Sequence, residues 1–235
     1  MIKIEDTDIF GWEAAIRGMR NPLNSWNNSD SIWCESYDYK AKETVYNFRI
    51  GKADLELMKH LIKAGTDHSK FMRMITVTCD IIAPLYWWKE FDTYKVGTVR
   101  NSCSTMHKIH EKEFTLDDFS CENLLCDPGS QLENVIEVGF DQMFGIDFLM
   151  YTVQALNGYR EKYIKTKYKC YWWQMIQLLP SSYNQRATVQ LNYQVLRNIY
   201  HSRKNHKLDE WNDFCNWIET LPYSELITGG QENEN

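Results

Sequence analysis

The run from Thr93 to Lys108, TYKVGTVRNSCSTMHK, crowds hydroxyls, amides, one thiol and several cations into sixteen positions. Such groups hold phosphates and polar ring edges: lysine acts as a point charge, while hydroxyls and amides both give and take hydrogen bonds. No other stretch has so many groups able to hold a phosphate or a nucleotide ring. Inside it, Cys103 lies between Ser102 and Ser104 and near His107, the residue types of a nucleophile with its base. Arg100, His107 and Lys108 add the positive charge that lowers a thiol pKa. Spacing assigns no third group to orient the base, so covalent catalysis is not the reading taken. A second constellation runs from Asn192 to Arg203, NYQVLRNIYHSR. On a helix, Asn192 and Arg203 are offset by only about 20° and share one face, with Leu196 and Ile199 between them. That makes a polar-ended apolar stripe, suited to a pocket wall. Taken alone, Arg203 also fits a solvated or salt-bridged cation complementing a helix C-terminus. His201 and His206 flank it, either touching a ligand phosphate or ending in solvent.

Other site types are disfavoured. Neither a P-loop nor a G-x-G-x-x-G occurs. Cys121 and Cys126 form a C-x4-C pair with no second pair and no nearby His, so no metal is expected. The seven cysteines are odd in number and irregular in spacing, which reads as reduced thiols rather than a disulfide framework.

The elements that position these groups follow from periodicity and breakers. MIKIED reads as a short strand. Asp8 is placed to cap a helix whose apolar stripe includes Phe10, Trp12, Ala15, Ile16 and Met19, closed by Pro22. Residues 21–47, rich in Asn, Ser and Asp, read as a long loop. A helix is predicted over 52–64, with Leu55, Met58, Leu61 and Ile62 inward and Gly65 as its stop. Residues 72–82 read as a strand that passes through Pro84 into an aromatic helix start. Residues 111–133 read as an acidic loop with a turn at Asp127-Pro128-Gly129. A helical tract of two or three pieces is predicted over 131–179, ended by Pro180, then helices over 184–201 and 207–220. The aromatic pairs Trp87-Trp88 and Trp172-Trp173 read as core or interface anchors ahead of ring-stacking groups.

The hydrophobic fraction of 43% and aromatic fraction of 14% supply ample core. The net charge of -6 argues against nonspecific nucleic-acid binding, which needs a basic surface. No apolar run is long enough to cross a bilayer, and the N-terminus lacks a leader's basic start and apolar middle. A soluble, cytoplasmic protein without membrane or nucleic-acid partners is expected. The simplest account is one α+β domain over residues 1–225, helix-rich with a small mixed or antiparallel sheet, followed by a polar tail at 226–235.

Three pieces together carry a family resemblance. His68-Ser69-Lys70-Phe71, a strand, and a Pro-containing turn precede the run Thr93 to Met106. This resembles the H-x-x-F, strand and R-H-R-x-x-S-x-N-E-x-S-x-R-Y signature of the flavin-dependent thymidylate synthases. The run from Asn192 to Arg203 looks like that family's N-x-R-x-L-x-N-F-x-x-x-R, downstream of Leu179-Pro180 at the family's spacing. Ile16-Arg17-Gly18-Met19-Arg20 looks like its early R-x-x-R. The layout matches from about residue 10 to 222.

The resemblance implies a thymidylate synthase-complementing-protein-like fold and a homo-oligomer, a tetramer in the family, with ligands held at subunit interfaces. The implied reaction is FAD-mediated reductive methylation of a deoxyuridylate-type nucleotide, with a methylene folate and NADPH as the other reactants. By position, His68, Thr93, Tyr94, Lys95, Asn192 and Asn198 fall on flavin-binding places. Thr98, Arg100, Asn101, Cys103, Ser104 and Arg203 fall on nucleotide-binding places, with Arg203 at the arginine that contacts the pyrimidine. By residue alone, His68 packs or caps.

Departures accompany the matches. The signature's two arginines are Thr93 and Lys95, its His is Tyr94, its N-E pair is Arg100-Asn101, and its closing Arg is Thr105. Ile176 and Gln194 also stand where the family has arginines. Arginine binds phosphate bidentately and Lys does not. Each lost charge-assisted contact removes roughly 1.5–3 kcal/mol, unless Arg100 or other groups substitute. The alternative to an active enzyme is an inactive relative that serves as a nucleotide- or flavin-binding or oligomeric interaction module.

Overall fold

Two strands owe their form to period-two burial. In TVTCDIIAP, Val77, Cys79, Ile81 and Ala83 are buried, and in NQRATVQLN, Gln185, Ala187, Val189 and Leu191 are. Alternation of this kind puts successive side chains on opposite faces of a strand. The structure, a computed structural model, describes residues 2–39, 42–125, 135–138 and 141–229. Along the chain come β1 (Lys3–Phe10), α1 (Trp12–Arg20), β2 (Ile32–Asp38), β3 (Glu43–Arg49), α2 (Lys52–Lys63), β4 (Thr76–Pro84) and α3 (Leu85–Phe91). There follow β5 (Val99–Ser102), α4 (Thr105–Lys108), β6 (Ile136–Val138), β7 (Asp141–Met143), α5 (Gly145–Thr166) and α6 (Lys169–Leu178). The chain continues through β8 (Asn184–Asn192), α7 (Tyr193–Arg203), α8 (Asp209–Glu219) and α9 (Glu225–Thr228). The strands β1, β4, β8 and β5 hydrogen-bond in that order. Two antiparallel ribbons accompany them: β2–β3, from Ile32 opposite Arg49 to Asp38 opposite Glu43, and β6–β7, from Ile136 opposite Met143 to Val138 opposite Asp141. This is the helix-rich α+β class with small sheets.

Four element assignments from sequence need correction. Residues 21–47 are not a long loop, because IWCESYD and ETVYNFR pair as β2 and β3. Their aromatic and β-branched residues suit a pleated ribbon, and the surrounding Asn, Ser and Asp masked that signal. Residues 184–192 are strand and not helix, so the helix begins only at Tyr193. Within the tract predicted as helical over 131–179, Ile136–Val138 and Asp141–Met143 pair as β6 and β7, and helix starts at Gly145. Asp8 belongs to β1; the N-cap of α1 is Gly11, at φ 94. The Asp127-Pro128-Gly129 turn, Cys126 and the last six residues of the tail lie outside the described residues.

The contacts divide the chain into two compact units: Met1–Lys3, Ile81–Thr93 and Asn101–Ala187 form the first, and Ile4–Asp80, Tyr94–Arg100 and Thr188–Asn235 the second. In the first, Trp87, Trp88 and Phe91 are fully buried, with ring centroids 5.0 Å apart for the two tryptophans. These aromatics are core, as their spacing implies. A further cluster joins Ile109, Phe114, Phe119, Leu149, Val153, Leu156 and Met175. Asn157 ties this cluster to the loop by accepting from the Phe114 N–H and donating to its carbonyl, both at 2.9 Å.

In the second unit, Met58, Met72, Ile75, Leu196, Ile199, Trp211, Phe214 and Leu226 are sealed from solvent. Asp54 is buried among them, and Arg20 Nε donates to its Oδ1 at 2.7 Å. The hydroxyls of Ser29 and Ser31 each donate to Oδ2 at 2.6 Å, and the Asp30 and Ser31 N–H groups at 3.2 Å. Burial alone would raise this carboxyl's pKa. Hydrogen bonds from Ser29, Ser31 and Arg20, with the Arg20 charge, bring it below the ordinary carboxylate range instead.

Candidate functional site

Helix α7 organises the site in the second unit. It can start at Tyr193 because the Asn192 side-chain carbonyl accepts the Val195 N–H at 3.0 Å, an N-cap bond. Its inner face buries Val195, Leu196 and Ile199. At its last residue, Arg203 Nε donates to the Tyr94 hydroxyl at 2.9 Å, and the guanidinium carbon lies 4.8 Å from the centre of the Trp211 ring. Trp211 is fully buried on α8, and Tyr94 meets it edge-on at 6.0 Å. A planar cation seated on an indole and held by a phenol is orientationally fixed, the pairing itself contributing about 0.5–2 kcal/mol.

The loop carrying Tyr94 is laid on the start of the same helix. Gly97 has φ 78, and a Cβ there would stand 2.9 Å from Asn192 Nδ2 and 3.3 Å from Val195 Cγ2. Both the left-handed backbone and the close approach call for glycine. The next residue, Thr98, is half-buried, and its Oγ1 is shut off from solvent without a hydrogen-bond partner among the described residues. A buried hydroxyl of this sort is uncommon in a finished core. Lys95 is exposed, and Arg100 is half-buried at the start of β5.

In the first turn of α7, Gln194 Nε2 donates to Asn198 Oδ1 at 3.0 Å, and the Ser69 hydroxyl donates to Gln194 Oε1 at 3.3 Å. Ser69 follows His68, which is exposed at the head of the Ser69–Met74 turn. An amide and hydroxyl chain thus runs from the His68 turn to Asn198. The second unit therefore gathers Tyr94, Thr98, Asn192 and Arg203 on or against α7, with Asn198 tied through Gln194 to the His68 turn. Sequence reasoning missed Trp211 and the bond between Ser69 and Gln194. Trp211 looked like ordinary apolar helix, and Ser69–Gln194 couples positions 125 residues apart, which no local pattern reveals.

Thr93, Asn101, Cys103 and Ser104 belong to the first unit. The Thr93 hydroxyl donates to the Glu90 carbonyl at 2.7 Å, ending α3 as a turn residue. Ser104 is the N-cap of α4, accepting from the His107 N–H at 3.2 Å. Cys103 has an exposed thiol, while its backbone is pinned by Arg186 and Gln185. No hydrogen bond joins that thiol to the His107 ring among the described residues. Asn101 is exposed on β5.

The two arginines of the early R-x-x-R part company. Arg20 is buried on Asp54 and on the carbonyls of Ser25 and Asn28, a structural role. Arg17 is exposed and borders a cleft of about 960 Å³ in the second unit, together with Phe10, Trp12, Trp33, Tyr46 and Trp217. None of the expected flavin or nucleotide residues lines it. Among the described residues no three His, Cys, Asp or Glu side chains gather as for a metal, and no helix is long and apolar enough to cross a membrane.

No protein-family model matches the chain, and no curated protein matches it in sequence. Solved structures are similar in fold. Thymidylate synthase X (ThyX) from Helicobacter pylori with FAD and dUMP matches with a TM-score of 0.63 at 16% identity, over 99% of this chain and 100% of that one. A flavin-dependent thymidylate synthase ThyX from the same organism, complexed with FAD and dUMP, gives 0.61 at 15% identity, over 96% and 97%. The UMP/dUMP methylase PolB from Streptomyces cacaoi, bound with 5-Br dUMP, gives 0.56 at 14% identity, over 97% and 95%. At these identities the likeness is one of fold. The chain has the architecture that ThyX and PolB share.

Proposed function

We propose that this chain binds a flavin and a pyrimidine nucleotide and carries out FAD-mediated reductive methylation of a deoxyuridylate-type nucleotide. The observation that carries the reading is the fixed guanidinium of Arg203. It ends the helix that Asn192 caps, in a chain similar end to end to structures holding FAD and dUMP. The donor set suits a flavin ring: Asn198, Asn192, Tyr94 and His68 are neutral or weakly basic groups of the kind that meet a polar ring edge. Lys95 supplies the cation for a phosphate. Bound FAD would supply the reducing chemistry.

Arg203 would hold a pyrimidine carbonyl oxygen and stabilise the charge that develops there as the ring is activated. Tyr94 and Trp211 keep the guanidinium in place, so little reorganisation is needed when that charge appears. Thr98 would turn its unmatched hydroxyl toward the nucleotide. Arg100 extends this set within the second unit; Asn101, Cys103 and Ser104, in the first unit, are nucleotide residues by resemblance alone. A homo-oligomer, a tetramer by resemblance, is part of the same proposal. Exposed Trp33, Tyr37 and Tyr46 on the β2–β3 ribbon are large apolar side chains suited to cover by a second copy.

One observation favours a second reading. Thr93 stands where the signature has an arginine, and its hydroxyl is spent on Glu90. A relative that binds without turning over would show such losses. Calorimetric titration of dUMP into the flavin-loaded protein separates these possibilities when paired with oxidation of the reduced flavin. The proposal predicts that Arg203→Ala weakens dUMP binding by about 1.5–3 kcal/mol, and that dUMP alters the rate of flavin oxidation in the parent. Equal dUMP affinity in parent and variant would overturn the role of Arg203. Binding without any effect on the flavin would leave the non-catalytic reading standing.

A further inference from the structure

The protein carries a net charge of -6, yet one cavity of the first unit is bordered by no carboxylate among the described residues. It holds about 390 Å³, and its walls include His107, His110, Tyr163, Lys167, Lys169 and Trp172. That volume falls within the roughly 300–1,000 Å³ of small-molecule sites.

Its cations are placed by the break between two helices. Lys167 ends α5 in the left-handed conformation, φ 58, and its N–H closes on the Tyr163 carbonyl at 2.8 Å. The chain reverses, and Lys169 opens the ten-residue α6. The first turn of α6 has no acidic residue, and its N-cap, Tyr168, makes no side-chain cap bond. A lysine there opposes the helix dipole, which favours anions at that end. The field of the helix terminus and both ammonium groups therefore add, with no carboxylate on the cavity wall to offset them. Lys167 Nζ lies 5.4 Å from the Tyr163 ring centre, and Lys169 Nζ 5.7 Å from that of Trp173.

The rest of the cavity wall is held in place from behind. Trp172 Nε1 donates to the Met106 carbonyl at 3.0 Å, and Arg160 donates to the carbonyls of His110 and Glu111 at 3.0 and 3.3 Å. These bonds set the His110 ring edge-on against Tyr163, centroids 4.9 Å apart. His110 Nδ1 has no hydrogen-bond partner among the described residues.

We infer that this cavity is a ligand site for a phosphate-bearing aromatic molecule of the nucleotide class, its phosphate between Lys167, Lys169 and the start of α6 and its ring against Tyr163 and Trp172. Aromatic faces beside fixed cations are the pairing such a molecule needs, since every base has a π-face and every phosphate takes charge-assisted hydrogen bonds. The site shares no residue with the set around Arg203, so it stands whether or not that reading holds.

The test follows the assigned histidine ring signals of the full chain by NMR while UMP, and separately inorganic phosphate, is added. The His107 and His110 signals are expected to shift saturably with UMP and with lower affinity for phosphate alone. The Lys167→Gln, Lys169→Gln double variant should weaken the UMP titration by about tenfold or more, and Arg203→Ala should leave it unchanged. Histidine signals that do not move in the parent, or an unaltered titration in the double variant, would overturn the inference. Loss of the shifts in Arg203→Ala would do so too, by assigning the ligand to the other site.

Discussion

Arg20 and Asp54 lie 34 positions apart and meet in a buried pair that four further donors complete. The motif that carries Arg20 pointed toward ligand chemistry, and its burial on Asp54 makes it structural; only Arg17 is left exposed. Because the folded carboxyl titrates below its unfolded value, its stabilisation is full above the unfolded pKa and is lost as pH falls through the lower, folded one. Asp54→Asn should therefore cost about 3–5 kcal/mol at neutral pH. Urea unfolding at a series of pH values should show the gap to the parent closing only in the acid range; a gap independent of pH would contradict the assignment. Tyr94→Phe probes the other arginine. Removing the hydroxyl should weaken dUMP binding by about 0.5–1.5 kcal/mol, with the melting temperature little changed. An undiminished affinity would mean that Tyr94 does not orient Arg203. Tyr94 was visible in sequence as the replacement of a signature His, but its bond to Arg203 spans 109 positions and could only be seen in the fold.

At the scale of elements, the join between the Gly97 loop and the start of α7 does most of the positioning. Gly97→Ala places a methyl against Asn192 and forces a left-handed alanine, which costs about 1–2 kcal/mol before any clash. Asn192→Ala removes the cap at a cost of about 0.5–2 kcal/mol. The two changes act on one contact, so the double variant should lose less than the sum of the singles in denaturant unfolding; strict additivity would show the loop and the cap to be independent. Helix α2 was legible because its stop, Gly65, and its buried Met58 follow helix rules. Strand β8 was not. NQRATVQLN has only Ala187, Val189 and Leu191 as apolar residues, and it leads without a breaker into a true helix, so a helical reading ran straight through the boundary at Asn192. The β2–β3 ribbon was hidden differently, by flanking residues typical of loops.

Across the whole molecule, the α+β class and several of the helices were readable from the chain, because both rest on local periodicity and on the few Pro and Gly breakers, whereas most of the strands were read as loop or helix. The partners of buried polar groups were not, because they join distant positions. Residues 1–225 are proposed to fold as one domain: scanning calorimetry should show one transition, and two resolved transitions would assign the two compact units separate stabilities. Light scattering should find a homo-oligomer, and a monomer at working concentrations would remove the subunit-interface part of the proposal. The first experiment to run is an absorbance spectrum of the purified protein, alone and after adding FAD and passing the mixture through a desalting column. The proposed function predicts a flavin spectrum that stays with the protein and changes when dUMP is added. A colourless protein from which added FAD washes away would contradict it, and would leave the ThyX-like fold as a scaffold for some other ligand.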